Sequence, residues 1–325
     1  MSGAARLGAV ALAALFAGCA PVYWTDWRSP IGRTHPLAGK ILDVRAGAFI
    51  SPRELGERLA ASRYVLLGER HDNPDHHVLQ ARLVRALAAG GRRPAVGFEM
   101  LATDQGAALA RWLAQAPRDA AGLGDAVGWK GSGWPAFTLY QPIAQAALDA
   151  ALPIVATNLS RAALEAMRER GAAGLGPAVQ RQLGLDTPLE PAVRAALARE
   201  IRESHCGRGS EALVEKMVDV QWARDARMAE ALERAGRRDG AVLIAGTGHV
   251  RSDRAVPAHL RRREPGATVA SVAFLEVEAK AATPAGYVEA GERALPFDYV
   301  WFTPRIDDVD PCEKFRKPLE RLKSS

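Results

Sequence analysis

The stretch of residues 64–77, YVLLGERHDNPDHH, constrains the fold of this 325-residue chain more than any other part of the sequence. It begins as an apolar run, breaks at Gly68 and then supplies charged and histidine side chains in close succession. An apolar run of this length bounded by glycine predicts a buried strand. Asn73 can cap a helix and Pro74 suits its first turn, so the strand is predicted to pass directly into a helix. In an open parallel sheet, ligands bind at such carboxyl ends of strands.

The rest of the sequence repeats this alternation of apolar runs and amphipathic segments. Further strands are predicted at residues 95–100, 153–158, 241–245, 268–277 and 298–302, with a short hairpin within 41–50. This order predicts an α/β fold, in which helices cover both faces of a mostly parallel sheet.

One long segment interrupts the alternation. Residues 160–237 are rich in Ala, Leu, Arg and Glu and contain no strand pattern, so they are predicted to form an inserted all-helical subdomain. The α/β core is then expected to comprise residues 41–159 and 238–305, followed by a C-terminal tail at 306–325.

The N-terminus has the layout of an export signal. Arg6 precedes an apolar segment, 7–17, that is too short to span a membrane in a mature protein. The segment runs into Ala17-Gly18-Cys19, which resembles a bacterial lipobox, although Phe16 stands where Leu is usual. Residues 1–18 are therefore predicted to be a lipoprotein signal peptide. The alternative is an unmodified cysteine in an ordinary signal peptide.

Lipidation of Cys19 would anchor the chain to a membrane. Ala20 rather than Asp follows this cysteine, so we expect an outer-membrane lipid anchor, with the domain in the periplasm or at the cell surface. Residues 19–40, punctuated by Pro and Gly, are predicted to be a tether. Because that compartment is oxidising, the two remaining cysteines, Cys206 and Cys312, are expected to form a disulfide.

The net charge of +6 is distributed over short arginine groups along the chain. Such groups are typical of a solvated surface, and no nucleic-acid-binding motif accompanies them. We therefore expect no nucleic-acid partner.

Polar side chains end four of the predicted strands. Glu69 and His71 follow the first strand, and Glu99, Asn158 and His249 follow three others. In a parallel sheet these ends lie on one edge, where two carboxylates and two histidines suit general acid–base catalysis or binding of a divalent metal. Glu69, His71, Glu99 and His249 are thus the candidate catalytic residues of a hydrolase, or candidate metal ligands.

Two polar residues interrupt the apolar stripe of a long helix predicted at residues 211–235. Gln221 and Asp225 fall in the middle of that stripe, and buried polar groups need partners. One interpretation is that they face the cleft or support its histidines, as Asn158 would. The other is that Asp225 forms an ion pair with Arg224 or Arg254.

Several familiar catalytic motifs are absent from the sequence. There is no Gly-x-Ser-x-Gly nucleophile elbow, no His-Glu-x-x-His helix and no Cys-x-x-Cys pair. The missing nucleophile elbow argues against an ordinary α/β-hydrolase, and the missing Cys-x-x-Cys pair excludes haem attached through Cys-x-x-Cys-His.

Taken together, the motifs resemble the ChaN-type haem-binding lipoproteins, which belong to a superfamily with the erythromycin esterases and the TIKI/TraB proteins. The resemblance covers roughly residues 41–277 and rests on Leu67-Gly68-Glu69-Arg70-His71, Gly97-Phe98-Glu99-Met100, Trp134, Tyr140-x-Pro142, Asn158, His205-Cys206, Gln221, Arg224-Asp225, Met228-Ala229 and Gly246-Thr247-Gly248-His249. It implies a parallel α/β core with a helical subdomain, a lipid anchor, haem binding linked to iron acquisition, and haem-bridged dimers.

Three functions remain open at this point. The first is a lipid-anchored haem binder, the second is a metal-dependent or acid–base hydrolase, and the third is a structural lipoprotein with a vestigial cleft. Haem needs an axial ligand and an apolar slot. We expect these on a surface beside the polar cleft, formed by the aromatic residues of segment 129–140 with the start of the histidine-bearing helix that follows the first strand. The residues in question are Trp129, Trp134, Phe137, Tyr140, His76 and His77, with Tyr140, His76 or His77 as the ligand.

Overall fold

Eight strands form one sheet at the centre of the computed structural model, which describes residues 26–314 and Arg316. The strands are β1 (Ile41–Asp43), β2 (Ala48–Ile50), β3 (Tyr64–Glu69), β4 (Ala95–Ala102), β5 (Ile154–Asn158), β6 (Ala241–Gly246), β7 (Val269–Glu276) and β8 (Tyr299–Thr303). Their spatial order is β2-β1-β8-β7-β3-β6-β4-β5. All pairings from β8 to β5 are parallel, and β1 is antiparallel to both of its neighbours, β2 and β8. The α/β prediction, with a mostly parallel sheet, is confirmed.

Eleven α-helices are described. They are α1 (Pro52–Ala60), α2 (Pro74–Ala89), α3 (Gly106–Leu113), α4 (Leu123–Ala126), α5 (Phe137–Asp149), α6 (Arg161–Arg170), α7 (Gly176–Leu183), α8 (Pro191–Ser204), α9 (Glu211–Ala235), α10 (Ala255–Arg263) and α11 (Pro311–Lys314). No described helix is long and apolar enough to cross a bilayer.

Successive residues of β3 point to opposite faces of the sheet, as the two-residue period of a strand requires. Val65 and Leu67 join the core under α2 and α5. Tyr64 and Leu66 join the core under α9 and α10. Because both faces of the sheet are covered, the sequence of β3 is a continuous apolar run, and its charged side chain is confined to its end.

The chain between β5 and β6 is helical, as predicted. Helices α6 to α9 enclose two small apolar clusters of their own. Helix α9 also returns to the sheet, where Met228 and Leu232 are fully buried against it. The insertion is thereby fixed over the carboxyl ends of the strands.

The tether prediction is wrong for residues 26–40, the part of it that the structure describes. Trp27 and Ser29 are buried, and Ile31 forms a β-bridge with Arg305. The backbone N–H groups of Arg28 and Ser29 donate to the carboxylate of Asp75 at 2.8 and 2.9 Å. This carboxylate in the first turn of α2 holds the segment on the domain. The predicted signal peptide and Cys19 lie outside the described residues.

The expected disulfide is present between Cys206, after α8, and Cys312 in α11, with their Cα atoms 5.8 Å apart. Beside it, the Lys314 ammonium pairs with Asp72 at 2.8 Å and with Asp307 at 2.6 Å. The C-terminal segment therefore joins the helical insertion to the loop that follows β3.

Replacing both cysteines with serine (C206S/C312S) should destabilise the domain. The bond spans 106 residues, and closing a loop of that length removes enough entropy from the unfolded chain to stabilise the folded state by about 2–5 kcal/mol. Urea unfolding of the oxidised protein and of the double variant would measure the difference. Equal midpoints would show that the bond does not stabilise the fold.

Candidate functional site

The carboxyl ends of β3, β4 and β6 bring the predicted polar residues together. Glu69 ends β3, Glu99 lies in β4, and His249 follows β6 by three residues. The His71 Nδ1 atom lies 3.0 Å from Glu69 Oε1, and His249 Nε2 lies 3.2 Å from Glu99 Oε1. Of these four side chains, only His71 is partly exposed.

Two further residues extend the cluster at its ends. His77 Nδ1 makes an ion-pair contact of 3.1 Å with Glu69 Oε2, and Asp225 Oδ1 lies 2.5 Å from His249 Nδ1. Between the two halves, His71 Nε2 lies 3.9 Å from Glu99 Oε2. Carboxylates and imidazoles thus alternate in a row, the carboxylate–histidine chain, whose members are His77, Glu69, His71, Glu99, His249 and Asp225.

The neighbours of each group fix its charge. Burial opposes a charged His249, but Glu99 and Asp225 on either side raise the pKa of this histidine to about 9. Burial likewise opposes ionisation of Glu69, yet the charge of His77 and the hydrogen bond from His71 lower its pKa to about 2. The pKa of Glu99 is also held well below its ordinary value, because His249 and Arg224 outweigh its burial.

Helix α9 supplies the supporting residues. The Arg224 guanidinium pairs with Glu99 and donates to Asn158 Oδ1 at 3.2 Å. Asn158 donates to the backbone carbonyl of Glu99 at 2.9 Å, and Gln221 Nε2 lies 3.3 Å from His249 Nδ1. Gln221 and Asp225 therefore face the site, and Asp225 pairs with a histidine.

Arg224 and His77 are the members of this site that the sequence prediction misplaced. The apolar stripe predicts Arg224 as an ion-pair partner of Asp225. The structure pairs it with Glu99 instead, and it lies one turn beyond Gln221 on the same helix. His77 was assigned to a haem-contacting surface, whereas it is fully buried against Glu69.

Position 246 requires glycine because the His71 imidazole lies close to the backbone there. A Cβ atom there would lie 2.9 Å from His71 Nε2, whereas the Gly246 backbone N–H donates to Glu99 Oε2 at 2.7 Å. The absent side chain leaves the imidazole room beside the end of β6.

The separate aromatic haem surface predicted from segment 129–140 does not form. Tyr140 is fully buried and its ring contacts His77, with centroids 4.4 Å apart. Trp129 is buried and packs against Tyr140 and Phe137. These rings belong to the core because α5 packs on α2. Trp134, whose ring centroid lies 4.9 Å from that of His71, borders the site, and the Tyr140 hydroxyl reaches it from the core, 3.4 Å from His71 Nδ1.

His76 does not fit its predicted role as an iron ligand. It is fully buried, and both ring nitrogens are occupied: Nδ1 accepts from the backbone N–H of Arg70 at 2.8 Å, and Nε2 lies 2.8 Å from Thr303 Oγ1. Burial lowers its pKa to about 3, which keeps the ring neutral. His76 thus joins the start of α2 to β8.

The predicted divalent-metal site is not supported. Among the described residues, no three His, Cys, Asp or Glu side chains are arranged to hold a metal ion. The physical reason is that the carboxylates of Glu69 and Glu99 are turned toward His77, His249 and Arg224, which already occupy their oxygen atoms.

A cleft of about 730 Å³ opens on the Glu99 side of the chain. Its walls include the segment before α5, the start of α6 and the middle of α9. The apolar lining comprises Met100, Ala102, Trp134, Leu159, Leu164 and Val220, and the charged lining comprises Lys130, Arg161, Arg168, Arg224, Glu99, Asp104 and Glu165.

Residues 55–260 match the model of a family described as haem-binding uptake, Tiki superfamily, ChaN. The match covers more than half of the sequence, and this chain belongs to that family. No curated protein matches the sequence.

A solved structure with a TM-score above 0.5 shares the fold, and two others are more distantly similar. A structure described as cofacial haem binding to ChaN of Campylobacter jejuni superposes with a TM-score of 0.62 and is 23% identical, covering 80% of this chain and 95% of that one. The type III effector HopBA1 has a TM-score of 0.41 and 12% identity, covering 77% and 92% of the two chains. A mutant of the erythromycin esterase EreC in its open conformation has a TM-score of 0.41 and 15% identity, covering 84% of each.

The pairing of His249 makes stability depend on pH in a defined direction. Its folded pKa of about 9 exceeds the ordinary value of 6.5. The contribution of this pairing to the free energy of unfolding is therefore complete below pH 6.5 and is lost as the pH rises through about 9. Replacing Asp225 with asparagine removes one of the two charges responsible, and should flatten this decline. Unfolding free energies measured from pH 6 to pH 10 for both proteins would check it; parallel curves would contradict the assignment.

Proposed function

We propose that this protein binds haem non-covalently in the cleft beside Trp134, as a lipid-anchored component of haem and iron acquisition. Membership of a haem-binding uptake family is the observation that carries the proposal. The cleft is the part of the described structure that best suits such a ligand.

The lining of the cleft matches the two chemical faces of haem. The macrocycle is apolar and flat, and Trp134, Leu159 and Leu164 offer apolar wall. The propionates are anionic, and Lys130 and Arg168 are exposed at the rim. A volume of about 730 Å³ lies within the range of about 300–1,000 Å³ that small-molecule sites occupy.

The axial ligand of the haem iron is expected to come from a second copy of the chain. Among the described residues that line the cleft, Met100 alone belongs to the types that ligate haem iron, and its side chain is buried. A ligand from another subunit would complete the site, and the solved structure of ChaN from Campylobacter jejuni is of cofacial haem binding. We therefore infer that haem is shared within a homodimer.

The lipid anchor and the outer-membrane location are supported by the sequence. Cys206 and Cys312 are joined to each other, so Cys19 is the one cysteine of the three without a disulfide partner in the chain. It follows Ala17-Gly18 directly, and a disulfide in the same chain is typical of proteins outside the cytoplasm.

Haemin added to the purified protein should produce a shifted Soret band. The double variant Trp134→Ala/Arg168→Ala should bind haemin about tenfold or more weakly, because apolar and ionic contacts of this kind contribute about 1–3 kcal/mol. Arg181→Ala, which replaces an exposed arginine on α7 away from the cleft, is the matched control. Sedimentation velocity during the titration should show dimers forming with haemin. Equal affinities for the two variants would refute this site, and a monomeric complex would refute the shared ligand.

Mass spectrometry of protein isolated from membranes should show Cys19 as the first residue, carrying lipid. Cys19→Ser should release the domain into the soluble fraction of the envelope. An unmodified N-terminus at another position would disprove the anchor.

A further inference from the structure

A second cavity lies at the outer edge of the sheet, next to its last strand. Strand β5 ends the strand order, and its one paired neighbour in the described sheet is β4. The free side of β5 opens into a cavity of about 500 Å³ between α3 and the C-terminal half of α9, which we call the edge groove. The edge groove shares no lining residue with the haem cleft, so the proposed haem binding makes no use of it.

The hydrogen bonds between β4 and β5 define which way the backbone of β5 faces. The Val96 N–H donates to the Pro153 carbonyl at 2.7 Å, and Val96 lies opposite Ile154 in the parallel register. Bonded residues alternate along a parallel ladder, so Val155 bonds to β4 while the N–H and C=O groups of Ile154 and Ala156 face the other way. Both residues line the edge groove, and no described residue makes a hydrogen bond to these outward groups.

An edge strand with unpaired backbone groups is a template for another strand, and many proteins bind extended peptides in this way. The walls of the edge groove leave space for one. Gly106 and Ala110 lie one turn apart on α3, and Ala231 and Ala235 lie one turn apart on α9. A Cβ atom added at Gly106 would meet nothing within 4 Å. Small side chains on both helices therefore allow a second backbone to approach β5.

The charged residues of the groove lie on α9 and favour an acidic ligand. Glu230 is buried and pairs with Arg227 at 2.8 Å, so its charge is already balanced. The Arg234 guanidinium lies 3.5 Å from the same carboxylate, and its side chain is 67% exposed. Because one carboxylate faces two arginines, the groove carries a net positive charge that a carboxylate on the ligand would balance.

Neither a second copy of the chain nor its own C-terminal residues suit this groove. Ile154 is buried although β5 is an edge strand, because α3 and α9 flank it on both sides. The β5 strand of a second copy would be recessed in the same way, so the two strands could not meet. Residues 317–325 contain three basic residues and one acidic residue, and Arg234 would repel such a segment.

We propose that the edge groove binds an extended segment of a partner protein, which adds to the sheet as a further strand beside β5. The segment carries small apolar side chains that fit between α3 and α9, and an acidic residue that pairs with Arg234. Because the groove and the haem cleft share no residue, the protein can hold this partner and haem at the same time.

Fluorescence anisotropy with the full chain and a fluorescein-labelled peptide, Asp-Ala-Val-Ala-Thr-Ala, tests the proposal. The control is the same peptide with a methyl group on every backbone nitrogen, which keeps the side chains and removes the N–H donors. We expect the unmodified peptide to bind, and the methylated peptide to bind about tenfold or more weakly, the effect of losing more than one backbone hydrogen bond.

Two variants of the protein probe the groove from its two sides. Ala156→Pro removes an outward N–H and preserves the ladder to β4, since an edge strand tolerates proline where its N–H faces away from its neighbour. Ala231→Leu fills the groove from α9. Both should unfold near the parent temperature and bind the unmodified peptide about tenfold or more weakly. Ala195→Leu, a matched change of an exposed alanine on α8 outside the groove, should bind the peptide like the parent.

Arg234→Glu tests the charge preference. This variant should bind the Asp peptide more weakly than the parent does, and should bind a peptide with Lys in place of Asp more tightly. No binding of the unmodified peptide, or equal binding of the methylated one, would overturn the proposal. Unchanged affinity in both Ala156→Pro and Ala231→Leu would also overturn it. A dimer that forms without haemin and is abolished by Ala231→Leu would assign the groove to a second copy instead.

Discussion

Neutralisation of three buried carboxylates is the constraint on which this structure depends. Glu69 ends β3 and Glu99 lies in β4, with β6 between the two strands. Asp225 approaches from a helix 25 residues long and pairs with His249 beside them. None of these groups could remain charged in the interior without a cation in contact. The partners come from α2, α9 and the turn after β6, so the helices must dock on the sheet for the edge to be stable. The polar edge thus couples the insertion to the core.

Much of this arrangement is predictable because few rules govern it. A buried parallel strand must be apolar throughout, so its polar residues collect at its end, and parallel strands place those ends together. This is why residues as distant as Glu69 and His249 could be assigned to one edge from sequence. Gln221 and Asp225 were placed by the same reasoning, since a polar residue within an apolar stripe requires a buried partner.

The remaining features depend on side-chain direction and on contacts between distant segments. His76 and His77 are neighbours in the first turn of α2, yet one faces β8 and the other faces Glu69. The clustering of aromatic residues in segment 129–140 indicated an apolar slot for haem. Clustering alone does not indicate whether the rings face a ligand or pack against α2. Residues 26–40 lack regular periodicity and looked like a tether, because the Asp75 carboxylate that holds them is far away in sequence.

The covalent ring closed by Cys206 and Cys312 contains α9 and the last three strands of the sheet. A protease that cuts once within the largely exposed segment 289–294 would therefore open the ring without dividing the molecule. The two pieces would stay joined through the disulfide and through the pairing of β8 with β7 and β1. Residues contributed by α9 would keep their position over the carboxyl edge, so a nicked chain would retain its site until the disulfide is reduced.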